Sequence, residues 1–318
     1  MTLKRVEDRL KERFHERVQS GVKLARFTTY RLGGPAGLYI EPASVEEVEV
    51  LARVLQEEGA TDVATLALGR GSNLVISDEG WPGLVIRMGP QFSWIKDDGP
   101  AEGDGGTLTA GAATALPLLA NWAARRALAG LEFAVAIPGS VGGGVKMNAG
   151  AHGGEMADHL TSARVFSLDS LTVEERPAQS LDLTYRRSNL GPADLVLDAR
   201  FDLVSGAAET IRERMEAYRK HRAETQPGAV QNAGSVFKNP PGDSAGRLVE
   251  AAGLKGFRVG GAAVAQIHAN FFIAGEGATA QDVYDLVTSV RGRVLERFGI
   301  DLEPEIRFAG AFAQRVPS

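Results

Sequence analysis

The sequence predicts an α+β chain of about two or three domains, and three observations carry that prediction. First, 318 residues are too many for one small hydrophobic core. Second, the region from Leu38 to Ile86 reads as strand, helix, strand, strand, the start of a small α+β domain. Third, the later chain mixes a hairpin with separately capped helices instead of repeating strand–helix–strand units.

The elements follow in order. Leu3, Val6, Leu10, Phe14 and Val18 recur at helical spacing and predict an amphipathic N-terminal helix. Leu38 to Ile40 reads as a short strand. Ser44-Val45-Glu46-Glu47 is a capping box that opens a helix with Val45, Val48, Leu51 and Leu55 inward, ended by Gly59. Thr65 to Leu68, Leu74 to Ile76 and Leu84 to Ile86 read as strands. Residues 90–106, rich in Asp, Gly and Pro, read as a loop or boundary. A strand follows at Thr107 to Ala110, then a helix from Leu116 to Leu128 with Pro117 in its first turn. Ala163 to Leu168 and Leu171 to Glu175 form a hairpin around Asp169-Ser170, and Leu195 to Leu203 is a strand. Thr210 caps a helix carrying Ile211, Met215 and Tyr218 on one face. After a polar loop, Asp243 or Ser244 caps a helix from Ala245 to Ala252, and Asn270 to Ile273 is a strand. Thr279 caps a longer helix with Val283, Leu286, Val287, Val290, Val294 and Phe298 inward, ended by Gly299. Leu302 to Phe308 is the last strand.

Composition narrows the function. With 44% hydrophobic and 24% charged residues, the chain is of the globular class. No apolar run reaches the ~20 residues of a membrane span, and the mixed-charge N-terminus has no signal-peptide core, so a cytoplasmic protein is expected. The absence of cysteine removes disulfides, thiolate metal sites and a cysteine nucleophile. Five scattered histidines give no metal cluster, so no metal is expected. A net charge of −5 argues against nucleic-acid binding. No dinucleotide fingerprint of the G-x-G-x-x-G kind follows a strand, and P-loop, zinc-protease and nucleophile-elbow motifs are missing.

What remains is glycine-rich. Gly130 to Gly154, GLEFAVAIPGSVGGGVKMNAGAHGG, places glycine at nearly every other position after Pro138. Either it forms a tight corner between packed elements, or its bare backbone approaches a large flat or anionic ligand. A second loop, LGRGSN at Leu68 to Asn73, favours the ligand. Its N–H groups, the Ser72 hydroxyl and the Asn73 amide suit a pyrophosphate, and a plain turn needs only one or two such residues. In YRRSNL, Tyr185 to Leu190, two arginines follow an aromatic; most such pairs are simply solvated. In GSVFKNP, Gly234 to Pro240, Ser235, Lys238 and Asn239 can converge on a ligand, or the segment is an ordinary loop around a buried Phe237. LEPEIRF alternates, with Leu302, Ile306 and Phe308 on one face and Glu303, Glu305 and Arg307 on the other. In isolation that second face reads as solvent-exposed.

Taken together and in this order, TTYRLGGPA, LGRGSNLVISDEG, the Gly130 stretch, YRRSNL, NAGSVFKNP and LEPEIRFAG resemble the UDP-N-acetylenolpyruvoylglucosamine reductase family. They span Thr28 to Gly310. The resemblance implies a two-part FAD-binding unit of the vanillyl-alcohol-oxidase (PCMH) type, residues 1–88 with the N-terminal helix and 89–205. A C-terminal α+β substrate-binding domain, residues 206–318, would follow, its last strand returning to the active site. It implies non-covalent FAD held by Gly69, Arg70, Gly71, Ser72, Asn73, Gly139, Ser140, Gly142, Gly143, Asn148 and Gly150. NADPH would be the hydride donor and UDP-N-acetylglucosamine enolpyruvate the small-molecule substrate, reduced by a monomer in peptidoglycan precursor synthesis.

By the same resemblance Arg186 holds the charge developing on the substrate, Ser235 donates a proton, and Glu305 acts as an acid or polarises the carboxylate. Tyr185, Lys238, Asn239 and Arg307 would bind substrate. The short connection after YRRSNL is similar to the family's shorter, second type, which lacks an inserted substrate-closing tyrosine. Ile267, Ala274 and Gln226 depart from residues common in the family. Two other readings compete. An oxidase on the same scaffold often tethers flavin through a loop histidine, which LGRGSN lacks. A non-catalytic relative would be colourless when purified.

Overall fold

The computed structural model describes residues 2–101, 104–228 and 230–314. In chain order the first elements are α1 (Thr2–Phe14), β1 (Val18–Gln19), β2 (Ala36–Ile40), α2 (Val45–Glu57), β3 (Thr65–Ala67), β4 (Leu74–Ile76) and β5 (Trp81–Ile86). Next come β6 (Ile95–Pro100), β7 (Gly105–Gly111), α3 (Leu116–Ala124), β8 (Leu128–Ala129), α4 (Val141–Met147), β9 (Gly150–Ala151) and β10 (Gly154–Glu155). Then follow β11 (Leu160–Ser167), β12 (Thr172–Pro177), β13 (Asp194–Ser205), α5 (Ala208–Thr225) and α6 (Ala245–Ala251). The chain finishes with β14 (Arg258–Val259), β15 (Ala262–Val264), β16 (Phe272–Ala274), α7 (Ala280–Phe298) and β17 (Arg307–Ala309).

The α+β class holds. The chain divides into two compact units, one of residues 1–20, 38–70 and 83–222, the other of residues 21–37, 71–82 and 223–318. The division falls inside the LGRGSN loop, between Arg70 and Gly71.

The first unit contains two hydrophobic cores. One gathers Val6, Leu10 and Phe14 of α1, Val48, Leu51 and Leu55 of α2, and Leu38, Ile40, Leu84 and Ile86 of the sheet ordered β1-β2-β5-β3. The α1 stripe is the one its spacing predicts, although Val18 belongs to β1, opposite Ile40. The second core lies on one face of the sheet ordered β12-β11-β13-β7-β6, with β8 also on β13. There Val165, Val196, Ala199 and Phe201 meet Leu116 and Leu119 of α3, Val141 and Val145 of α4, and Ile211 and Met215 of α5. Phe166, Leu195 and Leu197 face the first core, alternating with Val165 and Val196, and a register shift beside Leu197 turns Ala199 and Phe201 to the second core.

The second unit has one core, in which Val283, Leu286, Val287, Val290 and Val294 of α7 pack with Leu248 and Val249 of α6, Val264, Phe272 and Tyr30. The Tyr30 hydroxyl, fully buried, donates to the Phe272 carbonyl at 3.0 Å, and burial pushes its pKa up. A sheet ordered β14-β15-β16 and a parallel β4–β17 pair complete it.

Several elements differ from expectation. The loop expected at 90–106 contains strand β6, antiparallel to β7 with a bulge between Asp97 and Gly99. It pairs on one side only, at the sheet edge, where Asp, Gly and Pro are tolerated and no apolar alternation is needed. The helix expected to reach Leu128 stops at Ala124, and Leu128 pairs with Ser205 instead. Thr210 is not a cap but lies in the first turn of α5, where the Ile211 amide donates to Ala207 at 3.1 Å. The strand near Asn270 begins two residues later, at Phe272, and β14 and β15 were not expected. At the chain's end only Arg307 to Ala309 form a regular ladder, because Pro304 has no N–H and Glu305 donates elsewhere.

Candidate functional site

In the first unit a cleft with a cavity volume of about 100 Å³ is built around the ends of strands. Residues 67–70 after β3, 86–88 after β5 and 112–113 after β7 form three sides; Ser140, Gly142, Gly143 and Lys146 of α4 and residues 194–196 of β13 form the rest. The cleft needs its glycines. A Cβ on Gly69 would lie 2.9 Å from the Ser140 hydroxyl, and one on Gly142 would lie 3.0 Å from the Ala112 methyl. Ser140 is the N-cap of α4, which is how three consecutive glycines become helical: the cap hydroxyl accepts from Gly143 and the Ser140 carbonyl from Gly144 at 2.7 Å. Leu116 and Met156 pack closely over Gly144, 3.3 Å from where a Cβ would lie. Gly139 serves the same corner, its carbonyl accepting from Leu116 at 3.1 Å.

Two cations on the cleft wall are engaged by the protein. Lys146 donates to the Gly191 carbonyl at 2.7 Å, and Arg87 to Glu41 at 2.6 Å. Arg70 is exposed.

Asn148 ends α4 in the left-handed region, at φ 42°. It is fully buried, donating to Thr184 O and accepting from Ala157 N, both at 3.0 Å. Its amide therefore fastens the glycine segment rather than reaching outward. Arg186, also left-handed at φ 55°, donates from its guanidinium to the carbonyls of Gly150 and Asn148. The same guanidinium stands 5.0 Å from the Tyr185 ring, and Tyr185 is itself 46% exposed. Thus YRRSNL is pinned to the glycine segment and is not a freely solvated charge pair.

In the second unit Gly71, at φ 60°, is forced: a Cβ there would collide with the Phe27 carbonyl. The TTYRLGGPA segment accounts for that closeness, since Thr29 N donates to Gly71 O at 3.1 Å and Gly34 N to Ser77 O at 2.8 Å. Ser72 is half-buried. The Asn73 amide donates to the Glu305 carbonyl at 3.0 Å, and the Arg307 amide donates to Asn73 O at 3.0 Å. From Glu305 the connection continues, because its N–H donates to Val236 O at 2.7 Å. Ser235, the preceding residue, bridges Phe271. The second unit thus joins the segments of Ser235, Glu305 and Asn73 through backbone bonds and the Asn73 amide, and the first unit carries Arg186.

Asn270 holds this arrangement from behind. Only 3% exposed, its side chain accepts from Phe237 N at 2.9 Å and donates to Phe237 O at 2.8 Å, as a neighbouring strand would. Sequence reasoning missed it, although a lone amide between Ala269 and Phe271 is a signal that could have found it. Lys238 pairs with Glu303 at 2.8 Å. Asn239 accepts from Ala245 N at 3.0 Å, at the start of α6. Arg307 is exposed.

These residues fit the cofactor that the motif resemblance implies. Glycines line the cleft at Gly69, Gly142 and Gly143, where a Cβ on the first two would crowd Ser140 or Ala112, and cations stand along it. Among the described residues no cluster could hold a metal ion, and no helix is long and apolar enough to cross a membrane.

Comparison with known proteins agrees. A sequence-family model described as FAD binding domain matches residues 36–174, and one described as UDP-N-acetylenolpyruvoylglucosamine reductase, C-terminal domain, matches residues 226–309. UDP-N-acetylenolpyruvoylglucosamine reductase 2 of Symbiobacterium thermophilum is 44% identical over 295 residues, 92% of each chain. The Bacillus subtilis reductase of the same name is 38% identical over 310 residues, 97% of this chain and 99% of its own. The crystal structure of the Thermus caldophilus UDP-N-acetylenolpyruvylglucosamine reductase superposes with a TM-score of 0.77 at 39% identity, covering 92% of this chain and 99% of that one.

Proposed function

The chain belongs to the UDP-N-acetylenolpyruvoylglucosamine reductase family, and from that membership we propose that it reduces UDP-N-acetylglucosamine enolpyruvate to UDP-N-acetylmuramate, with NADPH as donor and FAD as mediator. The product is a peptidoglycan precursor. In this reading residues 1–88 and 89–205 are the two parts of the FAD-binding unit, residues 206–318 the substrate-binding domain, and the enzyme works as a cytoplasmic monomer.

Bound FAD supplies two-electron chemistry, hydride in from NADPH and hydride out to the terminal enolpyruvyl carbon. The protein holds it without a covalent bond. Gly69, Arg70, Gly71 and Ser72 would hold its pyrophosphate through backbone N–H groups and the Arg70 cation, and Gly139, Ser140, Gly142, Gly143 and Gly150 would allow its flat parts a close approach. Asn148 contributes by fixing the left-handed end of α4.

Hydride arrival at the terminal carbon leaves a carbanion on the adjacent carbon, its charge shared into the carboxylate. Arg186 stabilises that charge, since a planar guanidinium fork matches a carboxylate. Its guanidinium donates to the backbone carbonyls of Gly150 and Asn148, which orient the fork. Ser235 delivers the proton that quenches the carbanion. Glu305 acts beside it, as the acid that resupplies the proton or by polarising the carboxylate. Tyr185, Lys238, Asn239 and Arg307 bind the nucleotide sugar. Lys238 reaches it with the donors of its ammonium group that Glu303 does not use.

The observation that most supports the proton-transfer roles is the 2.7 Å bond from Glu305 N to Val236 O, which sets Ser235 and Glu305 on adjoining backbone segments. The test is anaerobic. The purified protein is expected to be yellow, to bleach with NADPH, and to regain its absorbance on adding the enolpyruvyl substrate. Recovery with oxygen but not with the substrate would point instead to an oxidase, and absence of flavin after reconstitution would end the flavoenzyme reading.

A further inference from the structure

The Asn73 side chain sits beside the loop expected to grip the cofactor, yet its amide is directed at the backbone of Glu305. Two hydrogen bonds and a strand ladder tie the two segments. Asn73 Nδ2 donates to Glu305 O at 3.0 Å, Arg307 N donates to Asn73 O at 3.0 Å, and β4 runs parallel to β17 from the Leu74–Arg307 pair onward. The regular ladder stops at Arg307, so the Asn73 amide supplies the next rung that the backbone does not. The Glu305 N–H donates to Val236 O, and the Glu305 carbonyl accepts from Asn73. Both backbone polar groups of Glu305 are therefore fixed from opposite sides, one by the segment bearing Ser235 and one by the residue that ends the loop.

We propose that Asn73 is a positioning residue for Glu305, acting in the substrate half of the reaction rather than as a side-chain ligand of the cofactor phosphates. This rests on the proton-handling role proposed above for Glu305. Side-chain direction follows from the backbone. Losing one of the two anchors lets residues 303–306 shift, and a shift of about 1 Å in a reacting group costs on the order of 100-fold in rate. The other contacts of the loop are made by other atoms. Gly71 O accepts from Thr29, and the positive φ of Gly71 is set by the Phe27 carbonyl, so the loop keeps its form when the Asn73 amide is removed.

The test uses the full-length holoprotein with Asn73→Ala, Glu305→Gln and the double variant. FAD affinity, flavin reduction by NADPH, and flavin reoxidation by the enolpyruvyl substrate are measured separately, the last across pH. For Asn73→Ala we expect FAD affinity and flavin reduction to change by less than about 3-fold. Reoxidation should fall about 10- to 100-fold, with an altered pH dependence. The two single losses should not multiply in the double variant, because both act through one carboxyl group. Three results overturn the inference: FAD affinity or flavin reduction that falls as much as reoxidation, losses that multiply, or an Asn73→Ala enzyme with full reoxidation while Glu305→Gln is slow. Full reoxidation by Glu305→Gln would refute the role of Glu305 itself, and with it any action of Asn73 through that residue.

Discussion

Replacing Asn270 by leucine keeps the branched shape of the side chain, with two bulkier methyl groups in place of its two polar atoms. In the native protein those atoms bond Phe237 N at 2.9 Å and Phe237 O at 2.8 Å, and Phe237 is 1% exposed. Water therefore has no ready access to either group. Each buried backbone group left unpaired costs about 1–3 kcal/mol, so the two cost about 2–6 kcal/mol. Leucine recovers part of this through its own burial, which leaves a net loss of about 3 kcal/mol. At about 2–4 °C per kcal/mol, the melting temperature should fall by about 6–12 °C. Differential scanning calorimetry would read that shift, and hydrogen exchange would show faster exchange in residues 232–240. Asn270→Asp adds a sign test. An ionised carboxylate faces the Phe237 carbonyl unfavourably, whereas the protonated acid can donate to it. The folded-state pKa is thus raised, and this variant alone should gain stability as pH falls toward the unfolded carboxyl value of about 4. A loss below about 0.5 kcal/mol in Asn270→Leu would refute the reasoning, since it would mean the Phe237 groups find other partners.

Further outcomes follow from the same structure. Ser235→Ala should still bleach with NADPH but lose about 100-fold or more in reoxidation by the enolpyruvyl substrate in stopped flow; a normal rate removes Ser235 as the proton donor. Gly71→Ala places a Cβ against the Phe27 carbonyl at a positive φ, so purified material should melt lower and carry less FAD than wild type, read from its visible absorbance. Asp78 accepts from the first two amides of α7, Ala280 at 2.9 Å and Gln281 at 3.0 Å, so Asp78→Ala should cost about 1 kcal/mol in a urea melt while Asp78→Asn costs less. Burial holds His152 and His268 below the ordinary histidine pKa, with His221 and Arg222 adding to the effect at His152 and Lys255 at His268. The unfolded chain binds those protons more readily, so the stability they contribute is present above about pH 6.5 and lost as pH falls below it. His152→Phe, which keeps a ring stacked on Tyr218, should flatten that acid limb in melts between about pH 8 and 5.5.

The sequence by itself determined what depends on near neighbours. The caps at Ser44, Ser244 and Thr279, the α1 and α7 stripes and the glycine stops at Gly59, Gly253 and Gly299 were legible because each is decided within a few residues. The family and its chemistry were legible because glycine and polar motifs keep a fixed order along the chain. Strand β6 was not, because an edge strand paired on one side needs no apolar alternation. Nor was the helix through VGGGVKM, where the Ser140 cap and close packing outweigh the poor propensity of glycine. Only the tertiary structure decided the partners of the polar side chains. Asn148, Asn73 and Asn270 each read as possible ligand groups or as nothing at all, and each binds backbone between 33 and 232 positions away. A buried amide takes whatever unpaired N–H or carbonyl the fold brings to it, and burial is what makes that pairing obligatory.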